Sequence, residues 1–180
     1  MKKINFFILF IVLALISCER DDICPAGTPT TPRVLIEFYD VSSSDDLKSV
    51  ARLSAYGEGL LENTPESDVD ETIVFNANTN AIELPLRIGA EGVTMTTHFI
   101  LEKDTNLRLD TDTSTDSNID VIELTYTTEF VYVSRACGYK SIFNSLAITK
   151  DVDLDNWISS IEIVETTVEN ENTIHVRILH

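Results

Sequence analysis

The sequence predicts an all-β fold, an antiparallel β-sandwich that is Ig-like in a loose sense, with one short helix near residues 139–146. Three observations predict it. Segments of period-two alternation recur from residue 34 to the C-terminal end, about eight or nine in all, each with an apolar and a polar side. The stretches between them are rich in Asp, Asn, Ser and Thr, which favour turns. Helical spacing is confined to Tyr139, Ile142, Phe143 and Leu146, an i, i+3, i+4, i+7 set just after Gly138. An up-and-down barrel around a ligand cavity is the competing architecture. A membrane-spanning barrel is disfavoured, because the strands and turns are too acidic and too short to form a lipid-facing band.

The first 17 residues stand apart. Lys2 and Lys3 precede an uncharged apolar run from Phe6 to Ile16, and the small residue Ser17 follows. A helix needs roughly 20 apolar residues to cross a bilayer, so this run reads as the core of a signal peptide. The segment Leu15-Ile16-Ser17-Cys18 resembles the lipobox of bacterial lipoproteins. The resemblance implies cleavage before Cys18, diacylation of its thiol with palmitate-type chains, and acylation of the new amine. Each buried methylene contributes about 0.8 kcal/mol, so several chains make a stable anchor. The next residues, Glu19-Arg20-Asp21-Asp22, complete a pattern similar to the surface-export signal of Bacteroidetes-type lipoproteins, with Arg20 where lysine is more usual. Solvated charges beside an anchor are the alternative reading. The expected location is the outer membrane, with the cell surface favoured over the periplasmic face.

Residues 18–32 form the expected lipidated cysteine and an extended tether, stiffened by Pro25, Pro29 and Pro32. Residues 33–180 are long enough for one sandwich domain with a real core and too short for two ordinary domains. The leader holds two of the 13 basic residues and none of the 30 acids, so the remaining chain sets 11 bases against 30 acids, a formal charge of −19. Such a charge argues against nucleic acid and against adhesion to anionic headgroups. Solubility is its commoner cause.

Three cysteines are odd for an exported chain until Cys18 is given to lipid. Cys24 and Cys137 then remain, and in an oxidising compartment they read most simply as a disulfide, with free buried thiols as the alternative. A loop of about one hundred residues closed in this way restricts the unfolded chain by roughly 4 kcal/mol in the entropic model. The bridge also shortens the free tether to residues 19–23, a reach of roughly 15–20 Å.

Along the domain, Val34, Ile36 and Phe38 alternate with Arg33, Glu37 and Tyr39, as in a strand with one buried face. Val50 to Tyr56 and Thr72 to Phe75 are weaker strand candidates. Ile82, Leu84, Leu86 and Ile88 share a face, and Pro85 marks an edge strand. Val93, Met95, Thr97, Phe99 and Leu101 line a longer strand. Ile122, Leu124 and Tyr126 line another, and at Phe130-Val131-Tyr132-Val133 a change of phase predicts a bulge or bend. Ile161 and Ile163 with Ile174, Val176 and Ile178 predict a C-terminal hairpin around residues 169–172.

Two motifs carry a wider resemblance. Cys18 to Asp40, with Asp21-Asp22-Ile23-Cys24, Thr30-Thr31-Pro32-Arg33 and Ile36-Glu37-Phe38-Tyr39-Asp40, and the segment Val133-Ser134-Arg135-Ala136-Cys137-Gly138-Tyr139 resemble a family of uncharacterised Bacteroidetes (flavobacterial-type) outer-membrane lipoproteins of about this length. The resemblance implies the location and the Cys24–Cys137 pairing. It carries no activity.

The residues name no reaction. Asp110, Asp112, Ser114, Asp116 and Asn118 space oxygen ligands as a calcium loop does, yet Thr115 stands where such a loop needs glycine and Val121 where it needs glutamate, so a polar hairpin tip is the expectation and no metal site is assigned. His98, His175 and His180 lack zinc spacing, and the first two are expected on the surface. No catalytic residue is assigned: no nucleophile elbow, phosphate loop or dinucleotide fingerprint occurs, and Cys137 is better used in the bridge. Trp157, Tyr39, Tyr56 and Tyr132 are expected in packing before binding. No cofactor is expected. The function expected is a lipid-anchored cell-envelope protein without a catalytic site, a binding or accessory subunit whose partners are the membrane, through Cys18, and an outer-membrane protein. The alternatives are a surface glycan-binding or hydrolytic lipoprotein with a site of scattered acids and aromatics, and a calcium-stabilised adhesion module.

Overall fold

The structure is a computed structural model, and it describes residues 23–28, 30–112 and 114–180. The leader, the lipidation position Cys18 and its neighbours Glu19 to Asp22 lie outside the described residues, as does Pro29 of the tether. Among the described residues, ten strands and one short helix follow in chain order: β1 (Val34–Asp40), β2 (Ser43–Leu47), β3 (Val50–Gly57), β4 (Thr72–Thr79), β5 (Ala81–Leu84), β6 (Thr94–Lys103), α1 (Thr105–Leu109), β7 (Asn118–Ser134), β8 (Gly138–Lys150), β9 (Ser160–Ile163) and β10 (Val176–Leu179).

They form two five-stranded sheets. In the first, β1 pairs in parallel with β10, and β10 pairs antiparallel with β9. The other edge of β1 is shared: β5 covers Val34 to Glu37, and β2 covers Tyr39 and Asp40. The second sheet has the order β4-β3-β6-β7-β8, antiparallel throughout. Fully buried side chains from both sheets make one core, with Val34, Ile36, Phe38, Val176 and Ile178 from the first and Leu53, Leu101, Ile122, Leu124 and Phe143 from the second. The all-β sandwich is thus as expected.

The alternation in β1, β6 and β7 translates directly into burial, because a strand turns successive side chains to opposite faces. At β5 the pattern overreaches. Ile82, Leu84 and Leu86 are buried, but the strand stops at Leu84 before Pro85, and Ile88 is 56% exposed. The expected C-terminal hairpin is present, with Val176 opposite Ile163 and Ile178 opposite Ile161. Its connection is longer than a simple turn. Val168 reaches across to the open edge of the second sheet and exchanges backbone hydrogen bonds with Phe143, 2.7 and 3.1 Å, which covers part of an otherwise unpaired edge.

The helix expected near 139–146 is a strand. Gly138–Lys150 is β8, paired with β7 along its length. Ser145 adopts a left-handed conformation, φ 56°, where the register slips between Thr125 and Thr127 of β7. This bulge inserts one residue, so the buried residues run Ser141, Phe143, then Leu146. A step of three inside a period of two imitates a helix. The observed helix, α1, lies elsewhere and follows β6.

Candidate functional site

Two regions combine accessibility with distinctive chemistry. The first is the stapled end. Cys24 and Cys137 form a disulfide with their Cα atoms 4.8 Å apart, joining residues 113 apart in sequence. Cys137 sits in the turn between β7 and β8, where Gly138 has φ 70° and Ser134 Oγ accepts the Cys137 amide hydrogen at 3.0 Å. The turn is therefore held by its own side chains as well as by the bridge. The approaching chain is not a straight tether: the Thr28 amide donates to the Pro25 carbonyl, closing a turn, and the Ser141 amide of β8 donates to Thr31 Oγ1. Pro32 is buried. Between the chain and the hairpin lies a cleft of about 540 Å³, lined by Ile23, Pro25, Tyr132, Val133 and Cys137 among others.

The β7–β8 hairpin overhangs the sandwich there. β6 ends its pairing at Thr94 opposite Thr127, whereas β7 continues to Ser134. Tyr126, Thr128, Phe130 and Tyr132 share one face of β7 by alternation. Tyr126 and Thr128 are buried where the 87–92 segment hydrogen-bonds to them, but Phe130 is 40% and Tyr132 57% exposed. Tyr139, directly opposite Tyr132, is 67% exposed, and the two rings meet edge to face at 5.5 Å. The core-facing surface of the second sheet thus runs out past its cover and ends in aromatic rings.

The second region is an open groove of about 880 Å³ beside β3, β4 and β6, closed on the other side by residues 83–87. Its walls carry Glu58, Asp70, Glu71 and Glu83 with Arg33, Arg87 and His98. Arg33 pairs with Glu83 at 3.4 Å. His98 stands between two carboxylates, Nε2 3.0 Å from Glu123 and Nδ1 3.7 Å from Glu58, and is partly solvated as expected. Beneath the groove, Tyr126 Oη donates to the Arg87 carbonyl at 2.9 Å and lies 2.8 Å from Thr97 Oγ1. Among the described residues of the lining, the one phenyl, phenol or indole ring is that of Phe99, which is buried.

Trp157 is 8% exposed, its Nε1 donates to the Leu101 carbonyl at 3.2 Å, and its ring packs against Phe38 and His180. Tyr39 and Tyr56 are also buried, so of the four aromatics considered only Tyr132 faces solvent. The acids of residues 110–118 turn inward on their own loop: Asp110 accepts from the Asp112 amide, and Asp112 from both the amide and the hydroxyl of Ser114. Those bonds hold the Asp112 carboxyl below the usual carboxylate range. Among the described residues, no three His, Cys, Asp or Glu side chains are grouped to hold a metal ion.

His175 corrects the surface expectation. It is 1% exposed, just ahead of β10, and its backbone extends the pairing with β1: its amide donates to the Leu35 carbonyl, and its ring Nδ1 accepts the Leu35 amide hydrogen, both at 3.0 Å. Burial pushes its pKa down, opposed by Glu165, the Asn170 backbone and Glu171. His180 is likewise buried and shifted down. The alternation placed His175 outward, but it lies one residue before β10 and its ring folds against the Leu35 amide of β1.

Two buried carboxyl groups escaped the sequence reading. Glu102 of β6 is fully buried and takes two hydrogen bonds from Arg108 of α1 and one from Ser117 Oγ. Asp120 of β7 is fully buried and accepts from the Ile158 amide at 2.8 Å and Asn156 Nδ2 at 3.2 Å. The spacing Glu102 to Arg108 around a five-residue helix was the available signal for the first. For the second there was none, since Asp120 resembles its acidic neighbours. Both groups hold loops in place and face no opening.

Among the described residues no helix is long and apolar enough to cross a membrane. A profile of a family of unknown function (DUF6452) matches residues 60–180. No curated protein and no solved structure matches the chain.

Proposed function

The chain belongs to the family of unknown function DUF6452, and from that premise we propose that it is a lipid-anchored cell-envelope protein of Bacteroidetes type, a binding or accessory subunit at the outer membrane. The observation that carries this reading is the Cys24–Cys137 disulfide, six residues past Cys18. Such bridges persist in oxidising compartments. This one binds the chain to the sandwich almost at the start of the sequence that follows the lipobox, so an acyl anchor on Cys18 would hold the whole domain close to its membrane. The surface that this domain offers is strongly acidic, and its groove mixes carboxylates with Arg33, Arg87 and His98, with no exposed Trp, Tyr or Phe ring among the described lining residues on which a sugar would stack. That composition favours a protein partner over a glycan.

The test begins with intact-mass analysis of the protein from its native membrane. Acyl chains on a new N-terminal Cys18 are the expected result, and a retained leader or an unmodified thiol overturns the anchor. Crosslinking in intact cells should then capture an outer-membrane protein, while protease shaving decides the face. Turnover of glycans, peptides or esters by the purified protein would overturn the accessory role.

A further inference from the structure

The stapled end is locally basic in a strongly acidic chain. Residues 23–34 and 130–141, brought together by the disulfide and by the Thr31–Ser141 contact, contain Arg33, Arg135 and Lys140 and no acid, in a chain with 30 acids. The far end of the same hairpin is the reverse. Residues 110–120 and 151–155 contain seven aspartates and no basic residue, and the Asn118–Asp155 and Asp151–Val121 hydrogen bonds bring those loops side by side. The 17 residues of β7 separate the two ends by roughly 50 Å, at about 3.3 Å per residue.

We propose that the aromatic tip of the β7–β8 hairpin is a lipid-contact surface, on which the domain stands upright with Tyr132 and Tyr139 in the headgroup region of the bilayer that holds its anchor. The inference rests on the anchor proposed above and adds an orientation to it. Three features choose a lipid surface as the occupant. Four residues separate Cys18 from Ile23, so the chain spans at most roughly 18 Å and the tip cannot leave the surface far behind. Tyrosine, with an apolar ring and a polar end, is enriched where membranes meet water. The tip sets Arg33, Arg135 and Lys140 against two neighbouring carboxylates, Glu129 beside Phe130 and Glu171, which accepts from the Arg33 amide at 2.8 Å, so anionic headgroups repel it far less than the seven aspartates at the other end. Ile23, 80% exposed beside the cleft, and Phe130 add apolar area to the same end.

The experiment uses the full-length protein expressed with its leader, purified with its anchor, verified as acylated by mass, and reconstituted into phosphatidylcholine vesicles containing lipid brominated high on the acyl chains. Tyr139→Trp and, separately, Tyr132→Trp report from the tip; Leu154→Trp, at a fully exposed position on the acidic loop, reports from the far end. Each variant is compared with the parent, whose Trp157 is buried and supplies the background. Loss of most of the added emission at 139 and 132, with none at 154, is the expected result. Acylated protein that floats with the vesicles but shows no quenching at either tip position overturns the orientation and leaves the anchor standing. Quenching at all three positions also overturns it. Protein without acyl chains overturns anchor and orientation together.

Discussion

Arg108 grips Glu102 with both ends of its guanidinium group, Nε donating to Oε1 at 2.6 Å and Nη2 to Oε2 at 3.1 Å, while a further bond from Nη2 reaches the Pro65 carbonyl. The acid is fully buried and the base is mostly so, and the attraction raises the Arg108 pKa above its ordinary value. One short helix therefore ties the end of β6 to the 58–71 loop beside the groove.

Arg108→Ala leaves a buried carboxylate without its partner and is expected to cost about 2–4 kcal/mol, read from urea denaturation. Changing both residues to leucine should recover part of that loss, because the uncompensated charge is then gone. A double variant no more stable than Arg108→Ala would show that the helix needs the ion pair itself.

The disulfide closes a loop of 113 residues, and replacing both Cys24 and Cys137 with serine is expected to lower stability by about 4–5 kcal/mol in the chain-entropy model. Limited proteolysis should then cut within residues 23–33, where the parent resists. Unchanged stability and unchanged cleavage would show that the Thr31 and Pro32 contacts suffice.

Asp120→Ala removes the acceptor for the Ile158 amide and for Asn156, and is expected to cost about 2–3 kcal/mol. The loop it holds carries the single tryptophan, so the emission of Trp157 should shift to the red before global unfolding. A stability loss without that shift would place the damage elsewhere in the sheet.

Stability should fall as pH drops through the imidazole range. Burial holds His175 and His180 below the ordinary histidine pKa in the folded state, so the unfolded chain binds more protons below about pH 6.5. The urea midpoint is expected to be flat above neutrality and to decline from there toward pH 5.5. His175→Gln, which keeps an acceptor for the Leu35 amide, should flatten part of the slope. An unchanged slope would assign the acid sensitivity to other groups.

The amount of this fold that could be read in advance followed the regularity of each strand. β1, β6, β7 and β10 are legible because each buries one face, so Val34, Phe99, Ile122 and Ile178 recur with the period of the pleat, while β9 shows the alternation with Ile161 only half-buried and Ile163 exposed. β8 is misread because the bulge at Ser145 changes the phase inside a single strand. β2, Ser43–Leu47, is wholly exposed, and its single apolar residue, Leu47, makes no alternation. At the candidate site, the cysteine pairing was accessible from counting. The aromatic tip was not, since Tyr132 and Tyr139 look like core residues until the end of β6 shows where the covering layer stops. The groove draws its charges from five separate segments, and only the folded topology brings them to one wall.

The parallel pairing of β1 with β10 sets the order in which this molecule can mature. A chain that emerges amino end first, from a ribosome or through a secretion pore, presents Val34–Asp40 long before its chief partner at Val176–Leu179 exists to receive it. Until Val176–Leu179 has emerged the first sheet lacks one of its two central strands, so the closing of that sheet waits for a segment far downstream of β1.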